Sequence, residues 1–167
     1  GTFKGAVVSS GSRESTGVGA GLYLTFQTKE QEAVTVKVGL SFTSVANARL
    51  NLQTEAASLT FDKAKQEAAA QWEEYLGRIR VETPNRQDKV KFYTGLYHVL
   101  LGRGLASDVN GAYPRNDGSV GQIPLLKGKP KHNFYNTDAA WGAQWNLAQV
   151  WALAYPEYYS DYISSHL

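Results

Sequence analysis

The chain has 167 residues, and its 17 Lys and Arg residues against 15 Asp and Glu residues give a formal net charge of +2 at pH 7. The basic residues are scattered, so no stripe for nucleic acid forms, and no apolar run approaches the roughly 20 residues that span a bilayer. Cysteine is absent, which excludes disulfides, thiolate nucleophiles and zinc–cysteine sites.

Two further features of the composition bear on the kind of protein. The sequence begins at Gly1 and contains no Met, which leads us to expect an internal piece of a longer protein. Tyr, Trp and Phe make up 12% of the chain. Such rings can pack a core or line a sugar site, because their faces are apolar and the edges of Tyr and Trp carry a polar group. Core packing is the simpler interpretation.

The first part of the chain, to about residue 53, has the period of β-strands. Apolar residues alternate with polar ones at 22–26 and at 33–42, which predicts strands that each bury one face. Residues 9–21 are rich in Ser and Gly and predict turns. Three or so antiparallel strands are too few to close a sandwich, so we interpret residues 1–55 as the end of a larger sheet domain.

After Ala56 the apolar residues follow the period of a helix. Thr60 can cap the start of this helix and Gly77 lies near its end. Charged residues fill the opposite face, which predicts an amphipathic helix lying on an apolar surface. With the extended connector that follows it, this linker covers residues 56–84.

Three more helices are predicted after the linker. Asn85 caps the first, whose apolar residues go most of the way round and so indicate burial on nearly all sides. The next is predicted at about 137–155, with Trp and Tyr residues along one stripe. Pro156 fits the first turn of the last.

About 30 residues without a clear period, 104–136, separate two of these helices. A loop of this length is usually functional or disordered. Its polar residues are interrupted by apolar ones that can pin it down, so we favour an ordered loop. Turn formation at Asn110-Gly111 and Asp117-Gly118 explains part of its polar content equally well.

Four runs of sequence carry a resemblance to a known enzyme family. Residues 91–113 read KFYTGLYHVLLGRGLASDVNGAY, and residues 132–141 read HNFYNTDAAW. Upstream lie VGLSFTSVANAR at 38–49 and WEEYLGR at 72–78. The first two closely resemble the first part of the catalytic domain of glycoside hydrolase family 92, and the upstream two resemble the end of its β-sandwich and its linker. The resemblance covers essentially the whole chain.

The resemblance implies a mixed fold in which strands precede helices. It implies three parts: the end of a β-sandwich domain at 1–55, the linker helix and connector at 56–84, and the first helices of an (α/α)6 catalytic barrel at 85–167. If only part of such a barrel is present, helices that the full barrel would bury are exposed. This predicts self-association through these helices or partial disorder.

The activity implied is that of a secreted bacterial enzyme of glycan degradation: an exo-acting, calcium-dependent α-mannosidase, of the α-1,2 type, in the periplasm or outside the cell. The family inverts the anomeric centre, which needs a general acid and a general base roughly 6.5–9.5 Å apart. Both carboxylates belong to motifs farther along the family sequence, and most calcium ligands are likewise expected outside this chain. We therefore assign no catalytic residue and no metal ligand here, and predict that the isolated chain is inactive.

Asp138 is the residue that the resemblance marks most clearly for binding a mannose-containing glycan. It matches an aspartate at the start of a barrel helix that helps to hold the terminal sugar, and a carboxylate can accept hydrogen bonds from two neighbouring hydroxyls. Trp141, Asp108 and Tyr113 are weaker substrate-binding candidates. The alternative for Asp138 is a charge that only stabilises the first turn of its helix.

A second interpretation of the whole chain stays open. A non-catalytic carbohydrate-binding or scaffold protein could keep the same fold without the chemistry. Thr137 and Trp141 stand where many members of the family have Trp and Arg, and this difference bears on both the specificity for sugar and the activity.

Overall fold

The computed structural model describes residues 1–138 and 140–167, and the chain forms two units, Gly1–Thr35 and Val36–Leu167. Ala139, which falls within the helix predicted at 137–155, lies outside the described residues. Among the described helices, none combines the length and the apolar composition needed to cross a bilayer.

The first unit contains a small antiparallel sheet. Its strands are β1 (Thr2–Lys4), β2 (Val7–Ser9) and β3 (Ala20–Leu22), in the order β2-β1-β3. Gly21 lies opposite Phe3 in the register, and a Cβ at Gly21 would stand 2.2 Å from the Phe3 ring. The absence of a side chain at this position therefore lets the ring lie across the neighbouring strand.

The strands predicted at 22–26 and 33–42 were wrong. β3 ends at Leu22, and residues 23–44, all of them described, contain no strand. A strand needs a partner for its backbone groups, and β1 offers β3 only three residues to pair with. The apolar residues of 33–42 stay exposed, Val38 by 71% and Leu40 by 76%. The alternating pattern therefore had no neighbouring strand to satisfy it.

The second unit begins with three helices: α1 (Val45–Glu55), α2 (Phe61–Leu76) and α3 (Arg86–Leu101). The predicted caps of the last two are confirmed. Thr60 accepts a hydrogen bond from Lys63 N at 3.3 Å, and Asn85 accepts one from Gln87 N at 2.9 Å. Helix α1 was not predicted, and it occupies residues that the sequence assigned to the strand region.

The long loop is ordered by two hairpins. Their strands are β4 (Ala112–Pro114), β5 (Val120–Gln122), β6 (Leu125–Leu126) and β7 (Lys129–Pro130). The turn predicted at Asp117-Gly118 joins β4 to β5. Gly118 has φ 83°, and its N–H donates to Arg115 O at 3.0 Å. The prediction of an ordered loop is confirmed.

The chain ends in α4 (Ala140–Ala143), α5 (Leu147–Ala154) and α6 (Pro156–Ser164). Pro156 occupies the first turn of α6, as predicted. The single helix predicted at 137–155 is instead divided, with turns at 144–146. Gly142, two residues before this break, and Asn146, the last residue of the break, are weak helix formers. The stripe of Trp and Tyr residues obscured this signal in the sequence.

The core of the second unit is aromatic. Its buried members are Leu96, Trp151, Tyr155 and Tyr162. Trp151 Nε1 donates to Val99 O at 3.1 Å, so the ring buries its polar edge with a partner. Within α3, which is described in full, only Leu96 is buried. Burial of α3 on nearly all sides was therefore wrong for this chain, whereas the expected exposure of apolar helix faces is present.

Arg78 joins the end of α2 to α6. It pairs with Glu157 and donates to Ala154 O at 3.2 Å, and its guanidinium carbon lies 4.7 Å from the centroid of the Tyr75 ring. The hydrogen bond to Glu157 raises the pKa of Arg78. This contact is partly exposed, so its contribution to stability is modest.

Replacing Arg78 by Ala is expected to lower the free energy of unfolding by about 1 kcal/mol, through the lost ion pair and cation–π contact. Urea unfolding followed by far-UV circular dichroism measures this change. Arg80→Ala, at an exposed position two residues away, is the control and should change stability by less than about 0.5 kcal/mol. Equal losses for the two variants would contradict the role given to Arg78.

Candidate functional site

Asp108 lies at the centre of a buried hydrogen-bond network and is 4% exposed. Asn51 Nδ2 donates to its Oδ1 at 2.7 Å. Its Oδ2 accepts from Ser41 Oγ at 3.0 Å, from Asn47 Nδ2 at 3.1 Å and from the Thr43 hydroxyl. We call these five residues the Asp108 cluster. Every side chain bonded to the carboxylate in it is a donor.

Helix α1 places two of these donors. Asn47 and Asn51 are four residues apart, so they lie on the same face of the helix, one turn from each other. Ser44 starts the helix by accepting a hydrogen bond from Asn47 N at 3.0 Å. Ser41 and Thr43 come from the irregular segment just before that cap. The cluster therefore joins the start of α1 to the long loop.

The ionisation of Asp108 follows from these contacts. Burial alone would raise the pKa of its carboxyl, but the hydrogen bonds from Thr43, Asn51, Ser41 and Asn47 together outweigh burial and hold the pKa below its ordinary value. The carboxylate is therefore negatively charged at neutral pH. Its charge is stabilised by oriented dipoles.

The loop backbone turns sharply next to Asp108. The backbone N–H of Asp108 donates to Ala112 O at 2.8 Å, and the N–H of Gly111 donates to Asp108 O at 2.8 Å. Gly111 has φ 84°, a conformation that a side chain would strain. Val109 N donates to Asn51 Oδ1 at 3.0 Å. The turn predicted at Asn110-Gly111 thus exists, and it is tied to the Asp108 cluster.

The residues before Asp108 pair with the residues that lead to Asp138. Ala106 N donates to Phe134 O at 2.8 Å, and Asn136 N donates to Gly104 O at 3.0 Å. Asp138 N donates to Asn136 Oδ1 at 2.8 Å. The position of Asp138 therefore depends on the segment that ends at Asp108.

A cavity of about 250 Å³ lies beside this pairing. Its polar walls come from Arg115, Asn116, Asn136 and Thr137, and its aromatic walls from Phe42 and Phe134. The remaining lining residues are small or apolar: Gly104, Leu105, Ala106 and Pro114. Convergent amide, hydroxyl and guanidinium groups next to aromatic rings can hydrogen-bond a sugar and stack on it.

Two of the predicted substrate-binding residues, Asp138 and Tyr113, adjoin residues that line this cavity. A third, Trp141, is four residues after the lining residue Thr137 in the sequence. Asp138 is exposed and follows Thr137, a lining residue. Tyr113 is half-buried and stacks on the lining residue Phe134, with ring centroids 4.4 Å apart. Trp141 is 74% exposed on α4. Their contact with a sugar stays a prediction.

Asp108 is placed differently from the other three. It lines a neighbouring cavity of about 340 Å³, which shares Phe42 with the first. Both of its oxygens already accept hydrogen bonds, so a sugar hydroxyl would have to compete with side-chain donors. Sequence reasoning missed those donors. The signal that could have found α1 is Ser44 as a helix cap, and with it Asn47 and Asn51 on one face.

A third cavity, also of about 250 Å³, is lined mainly by aromatic side chains: Gln71, Trp72, Tyr75, Leu100, Tyr135 and Tyr158. Burial raises the pKa of Tyr135 to about 12, and it also raises the pKa of Tyr158. Both phenols are therefore protonated at neutral pH. Tyr158 uses its hydroxyl to donate to Gly102 O at 2.8 Å. These groups support packing and offer no acid or base near neutral pH.

Among the described residues, the Asp108 cluster does not offer the ligands of a calcium ion. Within residues 1–138 and 140–167, no three His, Asp or Glu side chains converge as a metal site. Around Asp108 the partners are N–H and O–H donors, whereas calcium requires six to eight oxygen ligands.

Comparison with known proteins gives a family match over most of the chain. Residues 47–167 match the glycosyl hydrolase family 92 catalytic domain. No curated protein sequence matches the chain.

Several solved structures are similar to it. The GH92 family glycosyl hydrolase ccman5 shares 27% identity with a TM-score of 0.65. The family GH92 alpha-mannosidase BT3965 from Bacteroides thetaiotaomicron shares 26% identity with a TM-score of 0.66. Each match covers 75% of this chain and 16% of the other chain. The chain thus spans about a sixth of the length of these proteins.

The family GH92 inverting mannosidase BT2199 from Bacteroides thetaiotaomicron VPI-5482 is more distant. It shares 24% identity with a TM-score of 0.57, and the match covers 75% of this chain and 16% of that one. At this identity the likeness concerns the fold.

Proposed function

Because the chain belongs to glycosyl hydrolase family 92, we propose that it is part of an α-mannosidase that hydrolyses α-mannosidic bonds in glycans. The observation that carries this proposal is the family match over residues 47–167, which includes the long loop and Asp138. It is supported by the similarity to a solved structure named as an alpha-mannosidase.

The proposal extends to the properties implied by the sequence resemblance. The whole enzyme is exo-acting, inverting and calcium-dependent, of the α-1,2 type, and is exported by a bacterium to the periplasm or beyond. Inversion requires a carboxylic acid and a carboxylate roughly 6.5–9.5 Å apart, one to protonate the leaving oxygen and the other to activate water. These groups, and the calcium ligands, belong to the rest of the enzyme.

The proposed role of this chain within the enzyme is to bind the terminal sugar. Asp138 is exposed, so its carboxylate is accessible to hydroxyls of the terminal mannose. Trp141, with 74% of its surface exposed, offers a face on which a sugar ring can stack. Asp138 directly follows Thr137, which lines the cavity beside Phe42, and Trp141 is four residues after Thr137 in the sequence. They orient the sugar and do not transfer protons.

In the whole enzyme, Asp138→Asn is expected to lower kcat/KM for an aryl α-mannoside about 10- to 100-fold, the loss of a hydrogen bond to a charged group of about 1.5–3 kcal/mol. The assay is release of the aryl alcohol with calcium present, and proton NMR of the first product tests for inversion. The isolated 167-residue chain is the negative control and should show no turnover.

Asp88→Asn is the matched control, because Asp88 is also an exposed aspartate near a helix start, on α3. Its kcat/KM should stay within about twofold of the wild type, as for a surface substitution. If kcat/KM of Asp138→Asn also stays within about twofold of the wild type, Asp138 does not bind the sugar. A whole protein that binds mannose-containing glycans but does not cleave them would support the non-catalytic alternative, for which Thr137 and Trp141 are the pertinent differences.

A further inference from the structure

We infer that Asp108 is a positioning residue, which fixes both Phe42 and the segment carrying Asp138 at the cavity beside them. Its place in the Asp108 cluster, rather than contact with a sugar, is the basis for this role. The effect on turnover rests on the proposed function, whereas the effect on the order of the loop does not.

The first link runs from Asp108 to Phe42. Ser41 and Thr43 flank Phe42 in the chain, and both of their hydroxyls donate to Asp108 Oδ2. Residues 41–43 lie in no helix or strand, so regular backbone pairing does not hold them. Asn51 Nδ2, which also donates to Asp108, reaches Leu40 O at 2.8 Å. The phenyl wall of the cavity is therefore held through the Asp108 cluster.

The second link runs from Asp108 to Asp138. Residues 104–107 end directly at Asp108, and they bond to residues 134–136 through backbone contacts of 2.8–3.2 Å. Ser107 adds a side-chain contact, since its Oγ accepts from Phe134 N at 3.0 Å. Asn136 then accepts from Asp138 N. Hydrogen bonds and the covalent chain together thus lead from α1 through Asp108 to the backbone N–H of Asp138.

An aspartate is needed at this position because its neighbours all donate. Asparagine has nearly the same shape, but one of its two terminal atoms is an N–H donor. In one orientation that amide would face Asn51 Nδ2, and in the other it would face Ser41, Thr43 and Asn47. Either arrangement sets an N–H against a donor where the carboxylate offered an acceptor, so Asp108→Asn should loosen both links.

Hydrogen exchange on the whole enzyme tests the positioning itself. In Asp108→Asn, the amides of residues 106, 107, 134 and 136 should exchange at least about tenfold faster, because local opening governs their protection. The amides of α2 should be unchanged. Asp88→Asn serves as the control and should leave all of these rates as in the wild type.

Steady-state kinetics with an aryl α-mannoside test the consequence. A misplaced sugar wall should raise KM roughly tenfold, on the scale of one hydrogen bond to a charged group, with a smaller change in kcat. A residue with a merely structural role would instead reduce the fraction of folded enzyme. That would lower the apparent kcat and leave KM unchanged.

Unchanged exchange at the amides of residues 106, 107, 134 and 136 would overturn the inference, and so would a fall in kcat with KM unaltered. If the wild-type enzyme does not cleave the mannoside, the proposed function fails and the exchange result alone decides the positioning role. If Asp108→Asn does not fold, Ser41→Ala takes its place. It removes one donor and keeps the carboxylate, so a smaller change in the same amides and in KM is expected.

Discussion

Replacing Trp151 by Ala is expected to lower the free energy of unfolding of the Val36–Leu167 unit by about 3–5 kcal/mol. The side chain is fully buried, at 0% exposure. It packs edge-on against Tyr158 and Tyr162, with ring centroids 4.8 and 5.0 Å away. Truncation leaves a cavity among these rings, and it also leaves Val99 O without the indole N–H that it accepts.

Trp145→Ala is the matched control for this substitution. Trp145 is the same residue type six positions earlier, but it is 75% exposed. Its removal should change the free energy of unfolding by less than about 0.5 kcal/mol. Urea unfolding followed by far-UV circular dichroism avoids the loss of a fluorophore and measures both variants. Similar losses for Trp151 and Trp145 would mean that the aromatic core does not stabilise this unit.

Replacing Asp108 by Asn is expected to cost about 2–3 kcal/mol of stability at neutral pH, because hydrogen bonds to a buried charged group are lost. The folded-state pKa of this carboxyl lies below its ordinary value. Its contribution is therefore fully present above the unfolded-state pKa of about 3.9 and is lost as the pH falls through the folded-state pKa. The difference between wild type and variant should shrink as the pH falls below about 4.

Urea unfolding at several pH values between neutral and acid measures this dependence. Asp117→Asn makes the same substitution in the same loop, at an exposed carboxyl that accepts from Ser119 Oγ at 2.7 Å. It should affect stability far less than Asp108→Asn does. A stability difference between wild type and Asp108→Asn that stays constant through the acid range would show that the ionised form of Asp108 is not what stabilises the fold.

The helix ends were predictable because each depends on a few neighbouring residues. Thr60 and Asn85 each accept a hydrogen bond from an N–H two or three residues away, and Pro156 fits the first turn of α6 by its own fixed φ. The loop turns at Asn110-Gly111 and Asp117-Gly118 are local in the same sense. Sequence signals of this kind need no knowledge of what lies across the fold.

The strands at 22–26 and 33–42 failed for the opposite reason. Alternation reports which residues could face a core, but a strand exists only if another strand bonds to it. The break between α4 and α5 was missed as well, because the stripe of Trp and Tyr residues continues across it. In both cases a regular pattern was taken for a continuous element.

The sequence by itself determined the family resemblance, the helix caps and the order of the long loop, since these reside in contiguous residues. It also marked Asp138, although the contact of that residue with a sugar stays a prediction. Only the tertiary structure brought Ser41, Thr43, Asn47 and Asn51 to Asp108, across separations of 57 to 67 residues. Hydrogen bonds depend on distances between atoms in space, and no local period or spacing encodes which distant donors will surround a buried carboxylate.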